Sequence, residues 1–363
     1  MNEIIGDDIG PARVIQLYSA RERFRAVVVV DNTALGPAVG GVRVSPRITA
    51  NEVCRLARTM TLKNSLAGLP HGGAKGGIIA DPADMDKERT FRVFARMIRD
   101  LTDYIPGPDM GCNEMAMAWI HDETGRAVGL PEEIGGLPLD KLGATGFGLA
   151  ESAEVAASHA GIELKGARVA IQGFGSVGKA AARFLATKGA ILVAVSDSRG
   201  GVHDPDGIDL NALMAAKEGS GSVGGYGKGR RISAEELFGV ACDILIPAAT
   251  PDVIHRGNVG AVTARLILQG ANIPVTAEAE ELLHQRGVLI VPDFIANAGG
   301  VIMAAMEYAG RSEQEAFSAI GERIRKNTRL ILEKASAEKS LPRAAAVALA
   351  LERVRRAMVY QDY

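Results

Sequence analysis

A chain of 363 residues is long for one hydrophobic core and fits two domains. Its 41 basic and 43 acidic residues nearly cancel and form no Lys/Arg block, which argues against a nucleic-acid or membrane-surface binder and for a small-molecule partner. Cys54, Cys112 and Cys242 are odd in number and scattered, the histidines show no ligand spacing, and no apolar run reaches membrane-spanning length; we therefore expect a soluble, cytoplasmic protein with no metal site.

The first predicted element is the apolar run Phe24 to Val30. It leads into a turn-rich segment through Gly36, Pro37, Gly40 and Gly41, and then into helical periodicity at Val53, Leu56, Ala57 and Met60. Lys63 follows that helix. Twelve residues later Lys75 stands between the glycine pairs Gly72-Gly73 and Gly76-Gly77. Paired glycines permit close approach and unusual dihedrals at an entropic cost, and no ordinary structural need calls for them here. We therefore read Lys75 as a catalytic lysine, held between turns and dehydrated for acid-base chemistry. Asp109 sits in the Gly/Pro-rich stretch Pro106 to Gly111. Two cations and a carboxylate of this kind suit proton transfer and anion binding at an amino-acid α-carbon.

A Gly/Pro-rich stretch, Gly135 to Pro138 and then Gly143 to Gly148, is the expected hinge, with a domain boundary near residue 140. Beyond it short β-branched runs alternate with helical stretches: Ala167 to Ile171, Ala190 to Val195, Cys242 to Ile246, Arg265 to Leu268 and Val288 to Val291. That alternation predicts a parallel, doubly wound sheet. Gly173-Phe174-Gly175-Ser176-Val177-Gly178 follows the first of these strands and opens a helix, the context in which a dinucleotide pyrophosphate is bound. Asp197 closes the next strand, where an acid holds the adenosine ribose hydroxyls and favours NAD. Ser198 and Arg199 beside it leave NADP open. Later strands end at Ala248-Ala249, at Asn272 and near Asn297, small residues and amides suited to ribose or carboxamide. Phe317, Ile320, Ile324 and Ile331 mark one face of a long helix, and a last helix begins near Pro342 and is expected to return to the first domain.

The segments Thr59 to Asn64, Leu69 to Gly77, Pro108-Asp109-Met110, Gly173 to Gly178 and Asn297 to Val301 together resemble the glutamate/leucine/phenylalanine/valine dehydrogenases. The resemblance covers most of the chain, in order. It implies an N-terminal mixed-sheet substrate and oligomerisation domain over 1–140, joined by C-terminal helices from about 335 to 363, and a Rossmann NAD(P)-binding domain over 141–334. It further implies reversible oxidative deamination of an L-amino acid to a 2-oxo acid and ammonia by a homo-oligomer, with closure between the domains. By the same resemblance Lys63 binds the α-carboxylate, Lys75 activates water and Asp109 relays protons. Gly40, Met60, Asn297 and Val301 would line the substrate, and Thr145 would join the cofactor contacts.

Glutamate-using members of that family place a lysine where this chain has Val39, and a serine where it has Ala304. An apolar substrate of the leucine or valine type is therefore expected, as are a length and pocket closest to the leucine dehydrogenases. Glutamate dehydrogenase, with another cation replacing the missing lysine, is the alternative. A non-catalytic dinucleotide-binding regulator is a further one. His71 stands where glutamate-using members commonly have methionine, Leu62 replaces the aromatic residue that often precedes the carboxylate-binding lysine, and the stretch Ala116 to Trp119 looks more like the glutamate branch.

Overall fold

The computed structural model describes residues 6–361; residues 1–5 and 362–363, at the two ends of the expected first domain, lie outside it. The chain divides into two compact units: Met1–Leu139 with Val301–Phe317 and Val347–Tyr363, and Asp140–Gly300 with Ser318–Ala346.

In the first unit β1 (Arg13–Ser19), β2 (Phe24–Asn32), β3 (Ala38–Val44), β4 (Gly72–Ile78) and β5 (Tyr104–Pro108) form one sheet in the order β1-β2-β4-β3-β5. The sheet is mixed, with β1, β2 and β4 antiparallel in turn and β3 parallel to both β4 and β5. The valine run of β2 makes it an interior strand: Val28, Val29 and Val30 are all fully buried, each worth about 1.5–3 kcal/mol of apolar transfer. One face is covered by α1 (Ala50–Leu66), the other by α2 (Lys87–Met97) and α3 (Glu114–Thr124), whose Phe91, Phe94, Met117 and Ile120 fill the main core. Thr49, Asp86 and Asn113 cap these helices by accepting from the backbone N–H of Glu52, Arg89 and Ala116.

The glycine pairs around Lys75 are not turns. Gly72–Ile78 is a fully buried strand, and none of these glycines has a positive φ. Their reason is packing: a Cβ on Gly73 would lie 2.1 Å from the Thr61 nitrogen, and one on Gly77 would lie 2.7 Å from Val53 Cγ2. Both lie on α1, so the missing side chains let that helix settle directly onto β4.

The second unit begins with α4 (Leu139–Leu142) and α5 (Ala144–His159). Gly146 and Gly148, expected in a hinge, are buried within α5 instead. A Cβ on Gly146 would meet the Ala181 nitrogen at 2.4 Å, so these glycines pack one helix against its neighbour. The strands are β6 (Arg168–Gln172), β7 (Ile191–Asp197), β8 (Gly200–His203), β9 (Arg230–Ile232), β10 (Ile244–Pro247), β11 (Leu266–Leu268) and β12 (Leu289–Val291). They run in the order β12-β11-β10-β6-β7-β8-β9, of which β12 to β7 are parallel and β8 and β9 add an antiparallel edge that the sequence pattern does not reveal. The helices are α6 (Ser176–Thr187), α7 (Leu210–Ser220), α8 (Ala277–Gln285) and the short α9 (Asp293–Ala296). This is the expected doubly wound sheet, with its switch of winding direction between β6 and β10.

Three last helices, α10 (Gly299–Tyr308), α11 (Glu313–Glu338) and α12 (Pro342–Met358), each carry residues of both units. Beside the expected second domain over 141–334 and tail from 335, the compact units place Val301–Phe317 with the first and 335–346 with the second. The reason lies in where their polar groups are satisfied. At the start of α12 the Arg343 guanidinium pairs with Glu280 at 2.8 Å and Asp293 at 3.0 Å, within the second unit. Two turns later Ser65 donates to the Ala350 carbonyl at 2.8 Å, and Arg353 donates to the carbonyls of Ser65 and Leu69, within the first.

Candidate active site

Side chains alternate faces along a strand, so register decides which residues of neighbouring strands meet. Val39 of β3 stands opposite Gly73 of β4 and Ile105 of β5. The two-residue period then puts Gly73, Lys75 and Gly77, Val39, Gly41 and Arg43, and Ile105, Gly107 and the following Asp109 on one face of the sheet. Gly40 falls on the other face, where a Cβ would lie 1.6 Å from the Ala74 oxygen. Its side-chain position therefore belongs to the strand packing.

Lys75 Nζ lies 2.6 Å from Asp109 Oδ2, with side chains 8% and 17% exposed. Because β3 lies between β4 and β5, Lys75 must cross it to reach Asp109, and it crosses at Gly41. A Cβ there would be 2.8 Å from Asp109 Cβ and 3.2 Å from Lys75 Nζ. Gly41→Ala is accordingly expected to displace this pair and to lower about 100-fold the rate of a reaction that uses it; an unchanged turnover number in that variant would show that the crossing has no role.

The same Asp109 oxygen accepts from Arg43 Nε at 3.2 Å, and Arg43 Nη1 also donates to Glu52 Oε1 at 3.2 Å. Sequence reasoning missed Arg43 as a site residue, although it ends the Gly-Gly-Val-Arg element that begins beside Val39. Burial pushes the Asp109 carboxyl up, but the charges of Lys75 and Arg43 outweigh it and hold the group below the ordinary aspartate range. Cys112 supports the loop, accepting from the Asp109 N–H at 3.1 Å and donating to the Val42 carbonyl at 3.0 Å. Burial pushes its thiol up to about 12, so it remains a protonated donor.

Lys63 is half-buried in the last turn of α1, with Met60 one turn earlier on the same side. The adjacent Asn64 anchors this helix end by donating to the Gly72 carbonyl at 2.7 Å and the Val39 carbonyl at 3.4 Å. Val39 and Ala304, each 5% exposed, join Ile105 and Val128 in one buried apolar cluster. Val301 lies half-buried one turn before Ala304 on α10. His71 is buried, its Nδ1 3.1 Å from the Pro37 carbonyl and its ring edge-on to Tyr308 with 5.8 Å between centroids. Burial holds its imidazole below the usual histidine range.

In the second unit the turn after β6 meets the demands of a pyrophosphate site one glycine at a time. Gly173 adopts φ +98°, a tight turn closed to other residues, and a Cβ on Gly178 would lie 1.9 Å from the Gly173 oxygen, so that glycine seats the helix on the strand. At Gly175 a Cβ would meet nothing within 4 Å, which leaves open space in front of an α6 N-terminus that no side chain caps. Ser176 is exposed there and Val177 half-buried, whereas Phe174 is 1% exposed and turns into the core, leaving only its backbone for a ligand. Across the switch point Ala248 donates its N–H to the Gln172 carbonyl at 2.7 Å, and Ala249 packs on Gly173. Asn297 donates to the Gly270 and Ala271 carbonyls and to Asn272 Oδ1, while its own Oδ1 is buried without a partner. Thr145, in the first turn of α5, lies against Gly299.

Asp197 differs from expectation. Its Oδ2 accepts from Lys217 Nζ at 2.6 Å and the Val223 N–H at 2.8 Å, and its Oδ1 accepts from the Arg199 N–H at 2.9 Å and the Ser222 hydroxyl at 3.1 Å. A carboxylate 6% exposed and engaged on both oxygens is not a free selector for ribose hydroxyls, and Lys217 offsets its charge. The exposed Ser198 and Arg199 remain beside it.

A family model described as Glu/Leu/Phe/Val dehydrogenase matches residues 135–362, and one for the dimerisation domain of the same dehydrogenases matches residues 14–126. The chain belongs to the Glu/Leu/Phe/Val dehydrogenase family. Glutamate dehydrogenase of Aeropyrum pernix is 41% identical over 352 residues, spanning 90% of this chain and 84% of that protein. NADP-specific glutamate dehydrogenase of Saccharolobus shibatae is 41% identical over 351 residues, spanning 90% and 82%. The leucine-bound hetero-hexameric glutamate dehydrogenase of Thermus thermophilus superposes with a TM-score of 0.87 at 32% identity, covering 97% of this chain and 91% of that one. The protein is an amino-acid dehydrogenase of the NAD(P)-using kind. The uncapped α6 N-terminus, the open space at Gly175 and the unpartnered Asn297 Oδ1 fit that dinucleotide.

Proposed function

We propose that the protein catalyses reversible NAD(P)-dependent oxidative deamination of L-glutamate to its 2-oxo acid and ammonia. What carries this reading is the pair of glutamate dehydrogenases 41% identical over nearly the whole chain. They move the weight away from the apolar substrate expected from Val39 and Ala304. Lys63, charged and half-buried at the end of α1, binds the substrate α-carboxylate. Lys75 orients and polarises the attacking water and the oxygen at the α-carbon, and Asp109, 2.6 Å from its ammonium, moves protons to and from the nitrogen. Arg43 keeps Asp109 ionised and in place. The bound cofactor supplies the hydride acceptor. Gly173 to Gly178, Ala248, Ala249, Asn272, Asn297 and Thr145 would hold it, the uncapped α6 N-terminus being suited to its phosphates.

A second reading, an apolar amino acid of the leucine or valine type, is favoured by one observation. The cluster of Val39, Ile105, Val128 and Ala304 offers no cation to a side-chain carboxylate. Reduced-nicotinamide absorbance across the amino acids with both cofactors separates the two: kcat/KM higher for glutamate upholds the first, higher for leucine or valine the second. Reduction of neither cofactor by glutamate, leucine or valine overturns both readings.

Asp197, with its charge offset, accommodates NADP as well as NAD. Lys217→Ala is expected to shift the NADPH-to-NADH preference about tenfold toward NADH, since about 1.4 kcal/mol of charge balance suffices. Fluorescence titration of both cofactors checks this, and an unchanged ratio would remove Lys217 from cofactor choice. The dimerisation-domain match and the hetero-hexameric neighbour support an oligomer, which we take to be built of identical chains. No helix among the described residues is long and apolar enough to cross a membrane, and we place the enzyme in the cytoplasm.

A further inference from the structure

Helix α10 carries Ala304 and, one turn later, Glu307, a carboxylate that the catalytic scheme does not use. Glu307 Oε2 accepts from the Gly129 N–H and Oε1 from the Leu130 N–H, each at 3.0 Å. The residue just before these two is Val128, which with Ala304, Val39 and Ile105 forms the apolar cluster. The same short segment is applied to β5: the Val128 N–H donates to the Pro106 carbonyl at 2.9 Å, and a Cβ on Gly129, at φ +73°, would lie 2.6 Å from Pro108 Cδ. Pro108 immediately precedes Asp109. A bidentate carboxylate thus ties the strand-side wall of the cluster to the helix-side wall.

We propose that Glu307 is a positioning residue that fixes the separation of Val128 from Ala304, and with it the size of substrate side chain the enzyme accepts. The inference rests on the reading that this cluster receives the substrate side chain. Ala304 and Glu307 share one rigid helix, while Val128 lies in a connection with no regular structure of its own, so without the tether only packing sets the distance between the walls. Burial outweighs the backbone donors and raises the Glu307 carboxyl, as for a group drawn out of water to make these bonds.

The test is steady-state kinetics with the amino acid the wild type uses best and with the bulkier phenylalanine. Glu307→Ala should raise KM for the best substrate about tenfold, keep kcat within about threefold, and lower its kcat/KM preference over phenylalanine about tenfold. Glu307→Gln, which keeps one acceptor oxygen, should fall between Ala and wild type. NADH affinity, read in the second unit, should not change. An alanine variant with wild-type KM and preference overturns the tether, as does an equal loss on both substrates with the preference intact. Should the alanine variant fail to bind NADH, the glutamine variant decides: a reduced preference supports the tether and an unchanged one overturns it. A wild type that oxidises no amino acid overturns the proposed function and the tether together, whereas an active wild type with an unaltered variant overturns the tether alone.

Discussion

Lys75→Ala is expected to lower kcat for amino-acid oxidation by roughly 10³-fold or more, while the NADH dissociation constant stays within about twofold. Two losses combine. The variant lacks the cation proposed to polarise the attacking water, and it leaves Asp109 with Arg43 as its remaining ion-pair partner. Asp109 is 17% exposed, and burial alone raises its carboxyl, so without Lys75 it titrates at higher pH than in the wild type. The sign of the accompanying stability change follows. A depressed aspartate contributes stability that is present above its unfolded value of about 3.9 and is lost as pH falls through its lower folded value. In Lys75→Ala that loss should begin at higher pH, which thermal melts across an acid series would record. The residues proposed to hold the cofactor, on the β6–α6 turn and at the ends of β10 and α9, belong to the second unit, whereas Lys75 belongs to the first. Residual activity within tenfold of wild type would remove Lys75 from the chemistry.

Val39→Lys is expected to raise the ratio of kcat/KM for glutamate over leucine by about 100-fold, the equivalent of about 2.8 kcal/mol. Val39 is 5% exposed among apolar neighbours, so a lysine there is a cation drawn from water with no partner until a substrate carboxylate supplies one. The free variant should therefore melt at lower temperature than wild type, and glutamate should restore part of the loss where leucine does not. The ratio rises under either substrate reading, because the added charge rewards a side-chain carboxylate and penalises an apolar side chain. An unchanged ratio would show that this cluster is not the side-chain pocket, and would take Ala304 and Val128 with it.

Much of the second unit was legible residue by residue. What Gly173 and Gly178 do is meet a local steric demand, a positive φ in one case and a strand-to-helix approach in the other, and such demands are written in the identity of a single residue. The interior strands of the doubly wound sheet lie within one or two residues of their expected bounds, because strands covered on both faces must be continuously apolar. The β8–β9 edge escaped notice for the converse reason: Gly200–His203 and Arg230–Ile232 are short and half-exposed, and carry no such run. Asp197 shows the limit of motif reading, since its position is the expected one while its partners, Lys217, Ser222 and Val223, come from 20 to 26 residues further on.

The sequence by itself determined the residue types of the proposed site, the two lysines, the aspartate and the glycine-rich turn, because catalysis and phosphate binding restrict which chemistry can stand at each place. Tertiary structure alone decided how those residues combine. The glycines around Lys75 signalled something unusual from the start, but the strand order β2-β4-β3-β5 and its register explain them: they seat α1, while Gly41 on the intervening strand opens the path from Lys75 to Asp109. A two-residue period fixes a face for each strand separately, and only pairing in register brings three such faces into one site. The Glu307 tether joins residues 177 and 178 positions apart, a separation at which local sequence carries no signal.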